Sequence, residues 1–286
     1  MRIWFGLAIV PMLVACQQQE TPVVQKKPRS EMITQSALQN VRFTEVAELP
    51  YTKPDKRLSY GPSALQFVEL WLPKADPRSA PQVIFVHGGC WLNQYDLKHT
   101  YPAATALQKR GYAVWSVEYR RTGDPGGGWP GSLNDIVEAI EFIQTQNQYL
   151  GNSQSVNLVG HSAGGHLALL ANGQLITPVD RLIGLAPIVD IEAYAKGSNS
   201  CQAATSDFMG GTPEQLPHQY REANPINFSY DTQVTILGGE KDTLVPLTTP
   251  PLPTGKFSVI EGAGHFDWVH PDSVAFSYFV DSLKSN

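Results

Sequence analysis

Val156-Asn157-Leu158-Val159-Gly160-His161-Ser162-Ala163-Gly164-Gly165-His166-Leu167 is the stretch on which the fold turns. The apolar run Val156 to Val159 reads as a short buried strand, and the small and apolar residues from Gly165 to Ala171 read as a helix. Between them Gly160-His161-Ser162-Ala163-Gly164 matches G-x-S-x-G. A strand, a tight turn and a helix in that order make a nucleophile elbow, where the serine sits on a strained turn and the positions two before and two after it must lack bulk. The pentapeptide alone is only moderate evidence, and its context raises it.

Outward from the elbow the same alternation continues. Phe67 to Leu72, Val83 to Val86, Ala113 to Val117, Leu182 to Leu185, Val234 to Leu237 and Phe257 to Ile260 read as strands. Tyr101 to Arg110 reads as a helix closed by Gly111, and Pro271 to Lys284 as a terminal helix. Ser132-Leu133-Asn134-Asp135 reads as a helix cap with an acidic third residue, followed by a stripe of Leu133, Ile136, Val137, Ile140 and Ile143 that ends near Gly151. Strands separated by helices of this length imply right-handed crossovers and a mostly parallel sheet, an α/β fold. The 286 residues would allow two domains, but without an internal repeat one domain over 41–286 is the simpler account.

Such sheets place chemistry beyond the carboxyl ends of their strands. After Val234 to Leu237 comes Gly238-Gly239-Glu240-Lys241-Asp242, offering Asp242 to orient a histidine. After Phe257 to Ile260 comes Glu261-Gly262-Ala263-Gly264-His265-Phe266, placing His265 as a general base on a glycine-flanked loop. His270 is the rival base, but it precedes Pro271 at a helix start and is expected to face solvent. The order Ser162, Asp242, His265 is that of a Ser-Asp-His hydrolase. Val83 to Val86 runs into His87-Gly88-Gly89-Cys90-Trp91, and the N–H groups of Gly88, Gly89 and Ala163 are candidates for an oxyanion hole. Trp91, Trp129 and Trp268, with Tyr194 and Phe208, are candidates for an aromatic substrate pocket, although each is more often core. Asp190 to Gly211 reads as a long loop that would lie over it.

Composition narrows the remaining classes. A chain 42% hydrophobic and 16% charged is neither disordered nor collagenous, and three cysteines do not make a disulfide scaffold. Net charge −5 lacks the clustered basic face that nucleic acid requires. No H-E-x-x-H or C-x-x-C occurs, and His161 and His166 beside the elbow are poor metal ligands, so neither metal nor cofactor is expected. Met1 to Ala15 carries one charge, Arg2, and an apolar run too short to span a bilayer. Residues 16–40, rich in Gln, Pro, Lys and Ser, read as a flexible tether.

Leu13-Val14-Ala15-Cys16 resembles the lipobox of bacterial lipoproteins, which implies a cleaved signal over 1–15, acylation of Cys16 and a membrane anchor. Gln17 after the cysteine resembles outer-membrane sorting, hence the periplasmic face of that membrane. There Cys90 and Cys201 are free to pair, and two buried thiols remain the alternative. His87-Gly88-Gly89-Cys90-Trp91 together with Gly160 to Leu167 resembles the α/β-hydrolase serine esterases, nearest the kynurenine formamidase and small carboxylesterase branch. Tyr119-Arg120 and Trp129-Pro130 extend the resemblance, which runs from about Phe67 onward. It implies an eight-stranded, mostly parallel sheet and cofactor-independent hydrolysis of small esters, with formamides as an alternative substrate and a non-catalytic envelope binding protein as the alternative from another class. It leaves the oligomeric state open. A peptidase of the prolyl-oligopeptidase kind lacks its propeller-length extension here. Two departures stand out: Leu247 to Gly255 carries Pro250, Pro251 and Pro253 where the family has a helix, and Cys90 stands where an aromatic or glycine is usual.

Overall fold

The computed structural model describes residues 23–24, 38–146, 149, 155–247, 252 and 254–284. The segment read as a signal, Cys16 and most of the stretch read as a tether lie outside them. Nine strands form one sheet: β1 (Val23–Val24), β2 (Lys56–Ser59), β3 (Phe67–Trp71), β4 (Gln82–Val86), β5 (Ala113–Val117), β6 (Val156–His161), β7 (Arg181–Leu185), β8 (Gln233–Gly239) and β9 (Lys256–Ile260). Their spatial order is β1-β9-β8-β7-β6-β4-β5-β3-β2, with β2 and β3 antiparallel to their neighbours and the rest parallel. Eight strands have four residues or more, and the two-residue β1, inside the stretch read as a tether, adds to the edge beside β9.

The nine helices of the described residues are α1 (Phe43–Ala47), α2 (Tyr101–Lys109), α3 (Gly131–Gln144), α4 (Ala163–Asn172), α5 (Ile191–Tyr194), α6 (Ser200–Ala203), α7 (Thr205–Met209), α8 (Pro217–Glu222) and α9 (Val274–Ser282). Two buried clusters fill the two sides of the sheet. Ile84, Val86, Trp115, Leu158 and Leu182 join residues of α3 and α4 in one cluster. Val83, Phe85, Val114, Val159 and Ile183 join residues of α2 and α9 in the other. Alternate residues of one strand enter opposite clusters because side chains alternate across a pleated sheet, and a strand covered on both faces is apolar throughout.

Four local readings need correction. Helix α3 begins at Gly131 behind Pro130, so Ser132 is no cap; its buried hydroxyl donates to the Arg120 carbonyl (2.6 Å). Asp135, fully buried, accepts from the Arg120 guanidinium (2.6 Å) and from Gln66 (2.9 Å), an anchor that a helix-terminal acid would not form. The helix ends at Gln144 rather than near Gly151. The stretch read as a loop over Asp190 to Gly211 holds α5, α6 and α7, because Asp190 and Asn199 cap the Ala193 and Gln202 N–H groups (3.0 and 2.9 Å). His270 is 5% exposed rather than facing solvent.

Candidate active site

The register aligns the reactive strand ends. Val86 pairs with Gly160 and Val117, His161 with Leu185, and Gly239 with Ile260, so the segments after β4, β6, β8 and β9 leave the sheet along one edge. At the end of β6 Ser162 has φ 56° and ψ −124°, the left-handed region that side chains other than glycine avoid. The flanking glycines are steric requirements. A Cβ on Gly160 would lie 2.4 Å from the Gly164 oxygen, and one on Gly164 would lie 2.3 Å from the His87 oxygen. A side chain at Gly164 would push the elbow away from the end of β4, and one at Gly160 would push the first turn of α4 away from β6.

Asp242 and His265 meet because their loops are laced together. The Lys241 N–H donates to the Ala263 carbonyl (2.8 Å) and the Glu240 N–H to that of Ile260 (3.1 Å). His265 Nδ1 donates to Asp242 Oδ2 at 2.7 Å, and both residues are 6% exposed. The other carboxylate oxygen, Oδ1, accepts the Leu244 and Val245 N–H groups (2.9 and 2.8 Å), which fixes the plane of the acid. Behind the base loop, His161 Nε2 donates to the His265 carbonyl (2.9 Å), and burial, with the neighbouring His265 and His99, pushes His161 well below the ordinary histidine range. The buried Asp267 carboxylate accepts the N–H groups of Asn40, Val41 and Gly264 (2.7, 2.7 and 3.1 Å), tying the first segment of the domain to the His265 loop.

Beyond β4 the chain enters the left-handed region at Gly89 (φ 115°), Cys90 (53°) and Trp91 (58°). A Cβ on Gly88 would stand 2.9 Å from Ser162 Cβ, so this loop passes directly against the elbow. Cys90 and Cys201 are joined as a disulfide with Cα atoms 5.0 Å apart, linking the loop to α6.

A cavity of about 170 Å³ opens at this point, lined by Ser162, His265, Gly89 and the disulfide. Phe43, Tyr95, His99 and Phe266 form an aromatic wall, with Phe43 5.6–5.7 Å from each of the other three rings. His99 Nδ1 donates to the Asp96 carbonyl (2.9 Å), and burial lowers its pKa to about 4, so it is neutral at physiological pH. Among the described residues no group of three or more His, Cys, Asp or Glu side chains is placed to hold a metal ion.

Residues 68–251 match the BD-FAE family. The chain belongs to that family. Among its relatives are Esterase LipC of Mycobacterium tuberculosis, 26% identical over 67% of this chain and 52% of that protein, and Esterase LipQ of the same organism, 25% identical over 76% and 56%. Kynurenine formamidase of Meyerozyma guilliermondii is 29% identical over 55% of this chain and 64% of that enzyme. The chain thus spans about half the length of the two esterases. The crystal structure of esterase B from Lactobacillus rhamnosis superposes with TM-score 0.67 at 18% identity, covering 84% of this chain and 88% of that one, and carries the α/β-hydrolase fold.

The three tryptophans expected in the pocket of this BD-FAE member lie elsewhere. Trp91 is buried flat against Phe208 (4.8 Å, 13°), because the left-handed turn at Cys90 and Trp91 sends successive side chains apart, one to the cavity and one to the core. Trp268 is buried in the cluster with α9. Trp129 packs edge-on to Phe208 (6.4 Å) and donates its backbone N–H to the Phe208 carbonyl (2.9 Å). Phe208 is thus core, as is Tyr194, whose hydroxyl donates to the Leu244 carbonyl (2.8 Å). The walls come instead from Phe43 on α1, from Leu92 to His99 after the His87–Trp91 loop and from Phe266. Only Phe266, adjacent to His265, carried a signal in the sequence. Of the Leu247 to Gly255 segment, Leu252 is buried, while 248–251 and 253 lie outside the described residues.

Proposed function

We propose that this chain is a cofactor-independent serine hydrolase of small carboxylic esters. The observation that carries the reading is a strained Ser162 and a His265 oriented by Asp242 at 2.7 Å, lining one small, mainly apolar cavity. His265 takes the Ser162 proton as the serine oxygen attacks the ester carbonyl. The Gly88, Gly89 and Ala163 N–H groups hold the resulting oxyanion, and His265 returns the proton to the departing alcohol. Water, activated by the same histidine, then releases the acid. The esterase relatives support this reaction.

Ser162→Ala is expected to abolish both p-nitrophenyl acetate hydrolysis and labelling by a fluorophosphonate, and retention of both overturns the assignment. The formamidase relative supports a second reading, amide hydrolysis of an N-formyl arylamine. A higher kcat/KM for N-formylkynurenine than for aryl acetates would favour it. A binding role without catalysis is disfavoured by the intact Ser162, Asp242 and His265. We further propose a lipid anchor at Cys16 on the periplasmic face of the outer membrane, supported by Leu13-Val14-Ala15-Cys16 alone. Metabolic labelling with an alkynyl palmitate, present in the full chain and lost in Cys16→Ala, is the expected result; an unlabelled full chain rejects the anchor.

A further inference from the structure

His99 reaches the cavity from a one-turn 3₁₀ segment, Leu97–Thr100, whose backbone is pinned at both ends. Asp96 caps the Lys98 N–H (3.0 Å), Glu118 accepts the Leu97 N–H (3.2 Å) and the Thr100 hydroxyl donates to the Leu97 carbonyl (2.7 Å). The His99 ring stands edge-on to His87 (5.8 Å) and inclined to Phe43 and His161 (5.7 and 6.3 Å), the last being the residue before Ser162. His99 is only 5% exposed, so it meets the cavity as a buried polar side chain rather than as a rim residue.

The two nitrogens of this ring differ. Nδ1 lies 2.9 Å from the Asp96 carbonyl, which can only accept, so Nδ1 carries the hydrogen. Burial and the neighbouring His87 keep the ring neutral, and Nε2 is then a bare lone pair. Among the described residues nothing donates to it. The unpartnered Nδ1 of His161 is sealed inside the protein, whereas His99 Nε2 keeps accessible surface, and the cavity is the space that His99 lines. A largely desolvated acceptor needs a donor, and here the cavity's occupant supplies it. Among the described residues no Asp, Glu, Lys or Arg lines the cavity, so an ammonium donor would shed its water without a counter-charge. A carboxylate or an ether would set its own lone pairs against that of Nε2. A hydroxyl is neutral and donates, and the Phe43, Tyr95 and Phe266 rings offer apolar surface to the carbons that bear it.

We infer that His99 is a specificity-determining residue, its Nε2 accepting a hydrogen bond from a hydroxyl carried by the ester substrate. This rests on Ser162 being the nucleophile. The hydroxyl belongs to the acyl or to the alcohol side of the ester, and the same contact serves either. An ester that lacks it leaves Nε2 desolvated and unpaired, so selection works against the unsubstituted ester.

Matched esters test it on the full chain. In the acyl arm p-nitrophenyl 3-hydroxybutyrate is compared with the butyrate and the 3-methoxybutyrate. In the alcohol arm 2-hydroxyethyl butyrate is compared with propyl butyrate and 2-methoxyethyl butyrate. In one arm the hydroxyl ester is expected to exceed both companions roughly 10–100-fold in kcat/KM, and that arm identifies the side. The methoxy ester keeps the oxygen but cannot donate, so an inductive effect on the carbonyl would raise it as well. His99→Phe keeps an aromatic ring and removes the acceptor, and the preference should then fall to within about twofold of unity. In a Ser162→Ala chain carrying ¹⁵N-labelled histidine, one of the two hydroxyl esters should move the His99 Nε2 resonance upfield, and neither unsubstituted ester should. Equal rates within both arms, a preference that survives in His99→Phe, or an unmoved Nε2 resonance overturns the inference. The wild-type ratios need no variant to fold. A wild-type chain that hydrolyses none of these esters rejects the hydrolase reading instead, and the resonance still decides the role of His99.

Discussion

The Asp242 carboxylate divides its two oxygens between two tasks, and this makes its replacement informative. Oδ1 receives two backbone N–H groups, from Leu244 and Val245, whereas Oδ2 receives one, from His265. In Asp242→Asn the amide oxygen must stay with the two N–H donors, since turning the NH₂ toward them would leave two buried amides facing a donor. The NH₂ then faces His265 Nδ1, which has to accept, and the ring's proton moves to Nε2. A histidine protonated there cannot take the Ser162 proton. A fall in kcat of roughly 10³–10⁴ is expected with little change in KM or melting temperature. A loss of less than about tenfold would mean that Asp242 does not set the tautomer. The strand-end positions of Ser162, Asp242 and His265 were legible in the sequence because each follows an apolar strand within a few residues. Phe43 was not, because its place in the cavity depends on the buried Asp267 carboxylate, which gathers the Asn40 and Val41 N–H groups onto the base loop from more than 220 residues away in sequence.

At the scale of elements, the strands with continuous apolar runs were read nearly to the residue, and Ala113 to Val117 matches β5 at both ends. Burial on both faces leaves no alternative to an unbroken hydrophobic run. The edge strand β2, Lys-Arg-Leu-Ser, is mostly exposed and gives no such signal; its backbone pairs with β3, where Arg57 stands opposite Glu69 and bonds it (2.6 Å). The short helices α5 to α7 were missed for a related reason. With four or five residues each they have no periodicity to detect, and they exist because capping side chains and the Cys90–Cys201 bond hold them. That bond closes 111 residues of chain and ties the loop after β4 to α6. In the chain-entropy picture a closure of this size stabilises by about 4–5 kcal/mol. It also makes one wall of the cavity, so Cys90 narrows the pocket as a bonded pair rather than as a lone thiol.

The molecule as a whole stores three neutral histidines in its interior, and this shapes its response to acid. His166 is fully buried, donates Nε2–H to the Ala223 carbonyl (2.7 Å), and is held by that burial at a pKa of about 4. His99 lies at about 4 for the same reason, and His161 is also far below its ordinary value. In the unfolded chain each would protonate near pH 6.5. A depressed basic group means that the unfolded state binds more protons as pH falls, so the stability contributed by these residues is intact above about pH 6.5 and is lost down to about pH 4. Between pH 6.5 and 5 most carboxylates remain ionised, which isolates the histidines. Over that interval His99 and His166 should each cost about 2 kcal/mol, and His161 adds to the loss in the same direction. Urea unfolding at pH 7 and pH 5 measures the sum. His166→Gln can keep the donor to Ala223 while removing the titration, and the pH 7 to 5 drop should shrink by about 2 kcal/mol in that variant. An unchanged drop would mean that His166 protonates alike in both states, which its burial against Trp91 and Phe208 (ring centroids 5.4 and 6.0 Å) forbids.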